Sequence, residues 1–247
     1  MTVTGNEGCA ACRNATLPFE FSFAFQPIVE ARSNAIVSYE ALVRGPQGES
    51  AAAVLAQITP QTQYAFDQTA RVRALTIAKR LGIATKININ FLPNAMYRPE
   101  TCIRSTVAAA TELDIALDQI VFEVAEREYV ADPEKLIAIF SEYKRRGMKT
   151  AIDDFGAGYA GLGLLARFQP DYIKLDMELI RNIHTDRVKQ AIVRGVRSIC
   201  SDLGIISVAE GVETRDESAW LLDAGIDLLQ GYYFAKPVFE ALPLISA

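Results

Sequence analysis

FSFAFQPIVEARSNAIVSYEALVR, residues 21–44, carries the pattern that decides the fold. Aromatic and β-branched residues dominate FSFAFQPIV (21–29) and AIVSYEALVR (35–44), the composition expected of strands. Only the five residues EARSN separate them. Such a link is too short for a crossover helix, so this pair is expected to be an antiparallel hairpin.

Outward from the hairpin, short β-branched runs alternate with helical stretches, as in βα units around a parallel sheet. Further strands are expected at KININF (86–91), QIVFEVAE (119–126), KTAIDDF (149–155), DYIKLD (171–176), ISVAE (206–210) and DLLQG (227–231), which makes eight in all. Between them, Phe66, Ala70, Ala74, Ile77, Ala78 and Leu81 recur at spacings of three and four before Gly82. Val188, Ala191, Ile192, Val196, Ile199 and Leu203 do so before Gly204, and Leu136, Ile137 and Phe140 before Gly147. Each is the stripe of an amphipathic helix that ends on a glycine. Eight strands in 247 residues predict a (β/α)8 TIM barrel, modified by one antiparallel strand at its start. No repeat, linker or low-complexity tract interrupts residues 19–247, so a tail (1–18) and one domain (19–247) are expected.

Composition narrows the function. A chain of this length that is 50% hydrophobic and 22% charged can bury a core without disulfides, which excludes disordered and collagenous classes. No stretch approaches the roughly 18–20 apolar residues of a membrane span. The start, MTVTGNEGCAACRN, lacks the basic-then-apolar order of a secretory signal, so a cytoplasmic location is expected. A net charge of −5 argues against duplex nucleic acid or anionic membranes as partners, while leaving room for a local phosphate pocket. His184 is the only histidine, so histidine-rich zinc or iron sites are excluded and any metal must sit mainly on oxygen. Of the four cysteines, only Cys9 and Cys12 have a ligand-like spacing, and no second such pair accompanies them. They are expected to be an ungrouped pair in a polar tail.

In a barrel of this kind the working groups lie at the carboxyl ends of the strands. The polar residues expected there are Glu40, Asn90, Glu123, Asp153, Asp154, Lys174, Glu210 and Gln230, spread over seven strands. Strand parity puts Glu40, Leu42 and Arg44 on one face, as it does Val121 with Glu123 and Tyr172 with Lys174 and Asp176. Five carboxylates and one ammonium carry four excess negative charges, which two divalent cations would cancel. Carboxylates with an Asn carbonyl are hard ligands, suited to Mg²⁺ or Mn²⁺. Paired oxygen-ligated metals suit phosphoryl transfer or phosphodiester hydrolysis, in which Lys174 orients the water or neutralises charge and Arg44 grips a phosphate oxygen. No Ser-His-Asp arrangement or phosphate-binding GxxxxGK[ST] loop is present.

These residues resemble those of the EAL-domain phosphodiesterases, bacterial enzymes that hydrolyse cyclic di-GMP to a linear dinucleotide. The likeness covers FQPIV (25–29), Glu40-Ala41-Leu42, INF around Asn90, FEVAE (122–126), IDDFGAGYAGL (152–162), IKLD (173–176), AEGVET (209–214) and QGYYFAKP (230–237). It implies that Glu40, Asn90, Glu123 and Asp153 hold a first metal, and that Asp153, Asp154 and Glu210 hold a second. Lys174 then holds the attacking water, Gln230 helps to order it and the substrate, and Gln26, Leu42 and Arg44 contact substrate. Glu126 anchors the long loop DFGAGYAGL, which in the family links the metal site to a dimer interface, so a homodimer is implied. The asparagine just before Phe91 matches the family ligand, and a structural role suffices for Asn88. This chain has Ala125 and Ala157 where many members have Thr, which removes two hydroxyls near the site. No recognisable sensory or cyclase module is present, so regulatory input is expected through the tail, an oligomer or another protein. The competing expectation is a non-catalytic cyclic di-GMP receptor or interaction module that uses the same pocket.

Overall fold

The computed structural model describes residues 17–96, 98–126, 133–158 and 161–245. Cys9, Cys12 and nearly all of the expected tail lie outside the described residues. Strands β1 (Ser22–Glu30) and β2 (Ala35–Arg44) pair antiparallel, with Gln26 opposite Glu40. Asn34 takes the left-handed conformation at φ 57° that closes the hairpin, and the Glu30 carboxylate accepts the Ser33 amide at 2.8 Å. The short link therefore acts as a turn, as its length requires.

From β2 the sheet runs parallel through β3 (Lys86–Asn90), β4 (Ile120–Ala125), β5 (Lys149–Phe155), β6 (Tyr172–Leu175), β7 (Ile206–Ala209) and β8 (Leu228–Leu229). It closes because β1 pairs with both β2 and β8, antiparallel to each. A ninth strand, β9 (Val238–Phe239), was not anticipated and pairs outside the barrel circuit with Ala24 and Phe25 of β1. Its two residues are too few to show a period in sequence. The expected strand at 227–231 shortens to two residues, although the Gln230 amide still donates to the Ala209 carbonyl at 2.8 Å.

The helices are α1 (Ala51–Leu55), α2 (Gln63–Arg80), α3 (Arg104–Glu112), α4 (Pro133–Arg145), α5 (Gly161–Leu165), α6 (Arg187–Leu203) and α7 (Arg215–Asp223), with single turns elsewhere. Helix α5 begins inside the segment read as the long loop DFGAGYAGL, with Gly161 opening the helix and Gly163 lying within it. Helix α6 begins at Asp186, whose carboxylate accepts the Val188 and Lys189 amides, and ends at Gly204 with φ 68°. Its expected apolar stripe holds in part, since Val196 and Ile199 pack against the core. Val193 and Cys200 face the core, whereas Val188 is 69% and Ile192 45% exposed, because packing selects a line of residues rotated from the one that spacing suggested.

Strand alternation divides the side chains between two spaces. Ile87, Ile89, Phe91, Phe122, Ile152 and Ile173 point outward into an apolar layer beneath the helices. Their neighbours in sequence point into the barrel axis, where Glu40, Asn88, Glu123 and Lys174 are buried. The axis is thus polar toward the carboxyl ends of the strands, while Ile28, Val121 and Val208 supply the branched apolar filling ordinary for such a barrel below Asn88 and Lys174.

Candidate metal centre

The polar axis converges on Lys174, which is 1% exposed at the end of β6. Its ammonium lies 3.0 Å from Glu40 Oε2, 3.1 Å from Glu123 Oε2, 3.0 Å from Asp153 Oδ1 and 2.7 Å from Glu210 Oε1. Four strand ends thereby meet on one cation. Around them, Asn90 Nδ2 donates to Glu40 Oε1 at 3.0 Å, and Gln230 Nε2 donates to Glu40 Oε2 at 2.8 Å and to Gln26 Oε1 at 3.3 Å. Gln26 is held in turn by donating to the Ala235 carbonyl at 3.1 Å. Asn88 donates to Glu123 Oε1 at 2.6 Å and so sets that carboxylate's orientation.

Adjacent residues on a regular strand face opposite ways, so Asp153 and Asp154 could not both reach the rim without an irregularity. The β5–β6 register breaks between Ile152 and Phe155, and Asp154 adopts φ 52°, a left-handed conformation that is rare outside glycine. Both aspartates therefore line the same cavity of about 320 Å³. Two groups of three carboxylates result, Glu40, Glu123 and Asp153 in one and Asp153, Asp154 and Glu210 in the other, each with ligand oxygens within 4.8 Å. Asp153 belongs to both.

Electrostatics follow from that crowding. Burial, with Glu40 and Asp153 adding to it, pushes the Glu123 carboxyl up to about 8 against the pull of Lys174. Burial and the Asp153 charge hold Glu210 well above the ordinary carboxylate range. Burial disfavours the Lys174 ammonium, but Asp153, Glu123, Glu210 and Glu40 overcome it and keep the amine charged well beyond its usual range. Both groups consist of oxygen donors, which fits hard divalent cations, and an ammonium among four carboxylates marks a place that favours positive charge.

The remaining expected residues are distributed unevenly. Leu42 lines the cavity beside Glu40. Arg44 is not among the residues that line this cavity, and its guanidinium donates to the Val43 carbonyl at 2.7 Å. Glu126 Oε2 accepts the amides of Gly156 at 2.8 Å and Gly158 at 3.0 Å, and the Glu126 amide donates to the Asp153 carbonyl at 2.8 Å. One residue thus joins the loop to the acid shared by the two groups. Ala125 pairs in register with Asp153, and its methyl offers no hydroxyl there. Met177 and Tyr232 also line the cavity and escaped the sequence reading, although the aromatic pair in QGYYF was a visible signal.

The EAL domain pattern matches residues 11–237. The chain belongs to the EAL domain family. This EAL chain is 35% identical over 225 residues to the blue light- and temperature-regulated antirepressor BluF of Escherichia coli, a match covering 91% of the chain and 56% of BluF. It is 31% identical over 229 residues to the probable cyclic di-GMP phosphodiesterase PdeN of the same organism, covering 89% of the chain and 44% of PdeN. The chain therefore spans about half the length of these curated relatives. Among solved structures, a standalone versatile EAL protein from Vibrio cholerae O395 in its c-di-GMP bound form superposes with a TM-score of 0.91 at 51% identity, over 94% of this chain and 98% of that one. Among the described residues, no helix of the EAL chain is long and apolar enough to cross a membrane.

Proposed function

We propose that the chain is a metal-dependent phosphodiesterase that opens cyclic di-GMP to linear pGpG, with residues 19–247 as the catalytic unit and Mg²⁺ or Mn²⁺ as its paired ions. The observation that carries this reading is the sharing of Asp153 between two groups of carboxylates set around one buried lysine. Glu40, Asn90, Glu123 and Asp153 would hold one ion, and Asp153, Asp154 and Glu210 the other. Bound there, the ions supply Lewis-acid polarisation of the phosphate and acidify the attacking water.

The chain's own residues do the rest. Lys174 positions the water through its ammonium and offsets negative charge as the phosphorus–oxygen bond to the 3′ carbon breaks. Gln230, already donating to Glu40, orders the water and the substrate from the end of β8. Gln26 and Leu42 contact the dinucleotide beside them, and Arg44 reaches a phosphate oxygen by leaving the Val43 carbonyl. The similarity to PdeN and to the c-di-GMP bound Vibrio protein supports this substrate. Purified protein incubated with cyclic di-GMP and Mg²⁺ or Mn²⁺ is expected to yield the linear dinucleotide on chromatography. Substrate that remains intact under saturating ion overturns the reading.

A second reading, a non-catalytic receptor, is favoured by the similarity to an antirepressor. The complete set of acids and the lysine weighs against it, and tight binding without product would establish it. A homodimer belongs to the same proposal, supported by the apolar surface that Val188 and Ile192 leave open on α6. Light scattering tests that part.

A further inference from the structure

Behind the barrel wall, on the side away from the cavity, lies a second buried charge arrangement that the proposed chemistry does not use. Asp67 and Arg71, four residues apart on α2, are 2% and 0% exposed and pair at 2.8 Å. The Arg71 guanidinium donates to Tyr143 Oη at 2.7 Å and lies over the rings of Phe122 at 4.7 Å, Phe91 at 5.4 Å and Tyr143 at 5.7 Å. Asp67 Oδ1 accepts the backbone amide of Leu92 at 2.9 Å.

The sequence neighbours of these contacts matter. Phe91 follows Asn90 and Phe122 precedes Glu123, so the rings under the guanidinium are the outward faces of the two positions whose inward faces meet at the site. Asn90 and Glu123 are themselves register partners across β3 and β4. The Phe91 amide donates to the Glu123 carbonyl at 3.1 Å, and the next amide, Leu92, is the one that Asp67 takes. The chain leaving Asn90 is therefore held by β4 on one side and by α2 on the other.

Stability alone does not account for the pair. A buried ion pair is often replaceable by apolar residues of similar volume with little loss. Leucine and methionine in this aromatic layer would pack, but neither could accept the Leu92 amide. We propose that the Asp67–Arg71 pair is a positioning device that sets the backbone carrying Asn90 and Glu123, and thereby the affinity of the first cation site. The inference rests on the two-cation reading above.

Asp67→Ala and Asp67→Asn both leave Arg71 without its counter-charge, but only the asparagine keeps an oxygen for the Leu92 amide. Manganese binding to the metal-free full chain, measured by calorimetry well below the thermal midpoint, is expected to weaken about tenfold or more at one of two sites in the alanine variant. The asparagine variant is expected to stay close to wild type in manganese affinity while sharing the alanine variant's lower thermal midpoint. Equal manganese affinity in the two variants overturns the inference. Should neither fold, the volume-matched Asp67→Leu/Arg71→Met variant removes both charges, and the same loss at one site is expected; wild-type affinity there overturns the inference. Wild-type protein that binds no manganese overturns the two-cation reading, and this inference with it, whereas unequal sites in the variants alone bear on Asp67.

Discussion

The Lys174 ammonium lies 2.7 Å from Glu210 Oε1, the shortest of its four carboxylate contacts, and joins β6 to β7 at the centre of the polar axis. The lysine is both the proposed partner of the attacking water and the positive charge that makes so many buried acids tolerable. Those two roles can be separated by experiment.

Lys174→Met keeps the bulk of the side chain and removes the charge. Breaking a buried ionic cluster by deleting one partner typically costs about 3–5 kcal/mol. The metal-free variant is expected to melt well below wild type, and manganese, as a replacement cation, is expected to restore much of the loss. Turnover is expected to fall by about a hundredfold or more even with manganese present. Calorimetric melting with and without the ion, paired with product formation, checks both parts; a variant that keeps its rate would remove Lys174 from the chemistry.

Asp153→Ala deletes the only residue common to both carboxylate groups, whereas Glu40→Ala deletes a member of one. Bound manganese, counted by calorimetry, is expected to drop at both sites in the first variant and mainly at one in the second. Both are expected to lose turnover by several orders of magnitude. Similar stoichiometry in the two variants would contradict the sharing of Asp153.

Glu123 sits at about 8 in the folded protein against an ordinary value of 4.5, with burial as the leading cause. Between those values the native state binds more protons than the unfolded one, so the linkage slope is negative and this group lowers stability as pH rises through the window. The metal-free protein is therefore expected to melt at a lower temperature near pH 8 than near pH 6. Manganese affinity is expected to change in the opposite sense, rising toward pH 8, since binding requires the carboxylate. Midpoints that stay flat over this range in the metal-free protein would show that Glu123 is ionised throughout.

Gly231→Ala would place a methyl carbon about 2.0 Å from the Val212 carbonyl oxygen and 2.3 Å from its amide nitrogen. The Val212 amide donates to the Gln230 carbonyl at 3.1 Å, so the clash falls on the contact that aligns Gln230 with the loop after Glu210. Overpacking of this kind costs roughly 1–3 kcal/mol. The expected result is a lower thermal midpoint together with a loss of turnover larger than the loss of fold, read from circular dichroism and product formation on the same sample. A variant with normal activity would mean that the two backbones can part without disturbing the site.

Sequence alone was sufficient for the barrel, its opening hairpin and the gathering of polar residues at one end of the strands. Five residues between two strong strands permit nothing but a tight return, and polar residues recurring at strand ends have one rim to meet at, because period and connection length act locally. What the tertiary structure decided was arrangement. The kink at Asp154, the placement of one lysine among four carboxylates, the hold of the Val43 carbonyl on Arg44 and the rotated buried face of α6 depend on which groups come close across β5, β6 and β7 and beneath the helices. The Asp67 link to Leu92 belongs with them, since an acid and an arginine four apart on a helix look like a solvated pair until the aromatic layer that covers them is in place. Burial turns such pairs from surface decoration into constraints, and burial is a property of the closed barrel rather than of any segment of the chain.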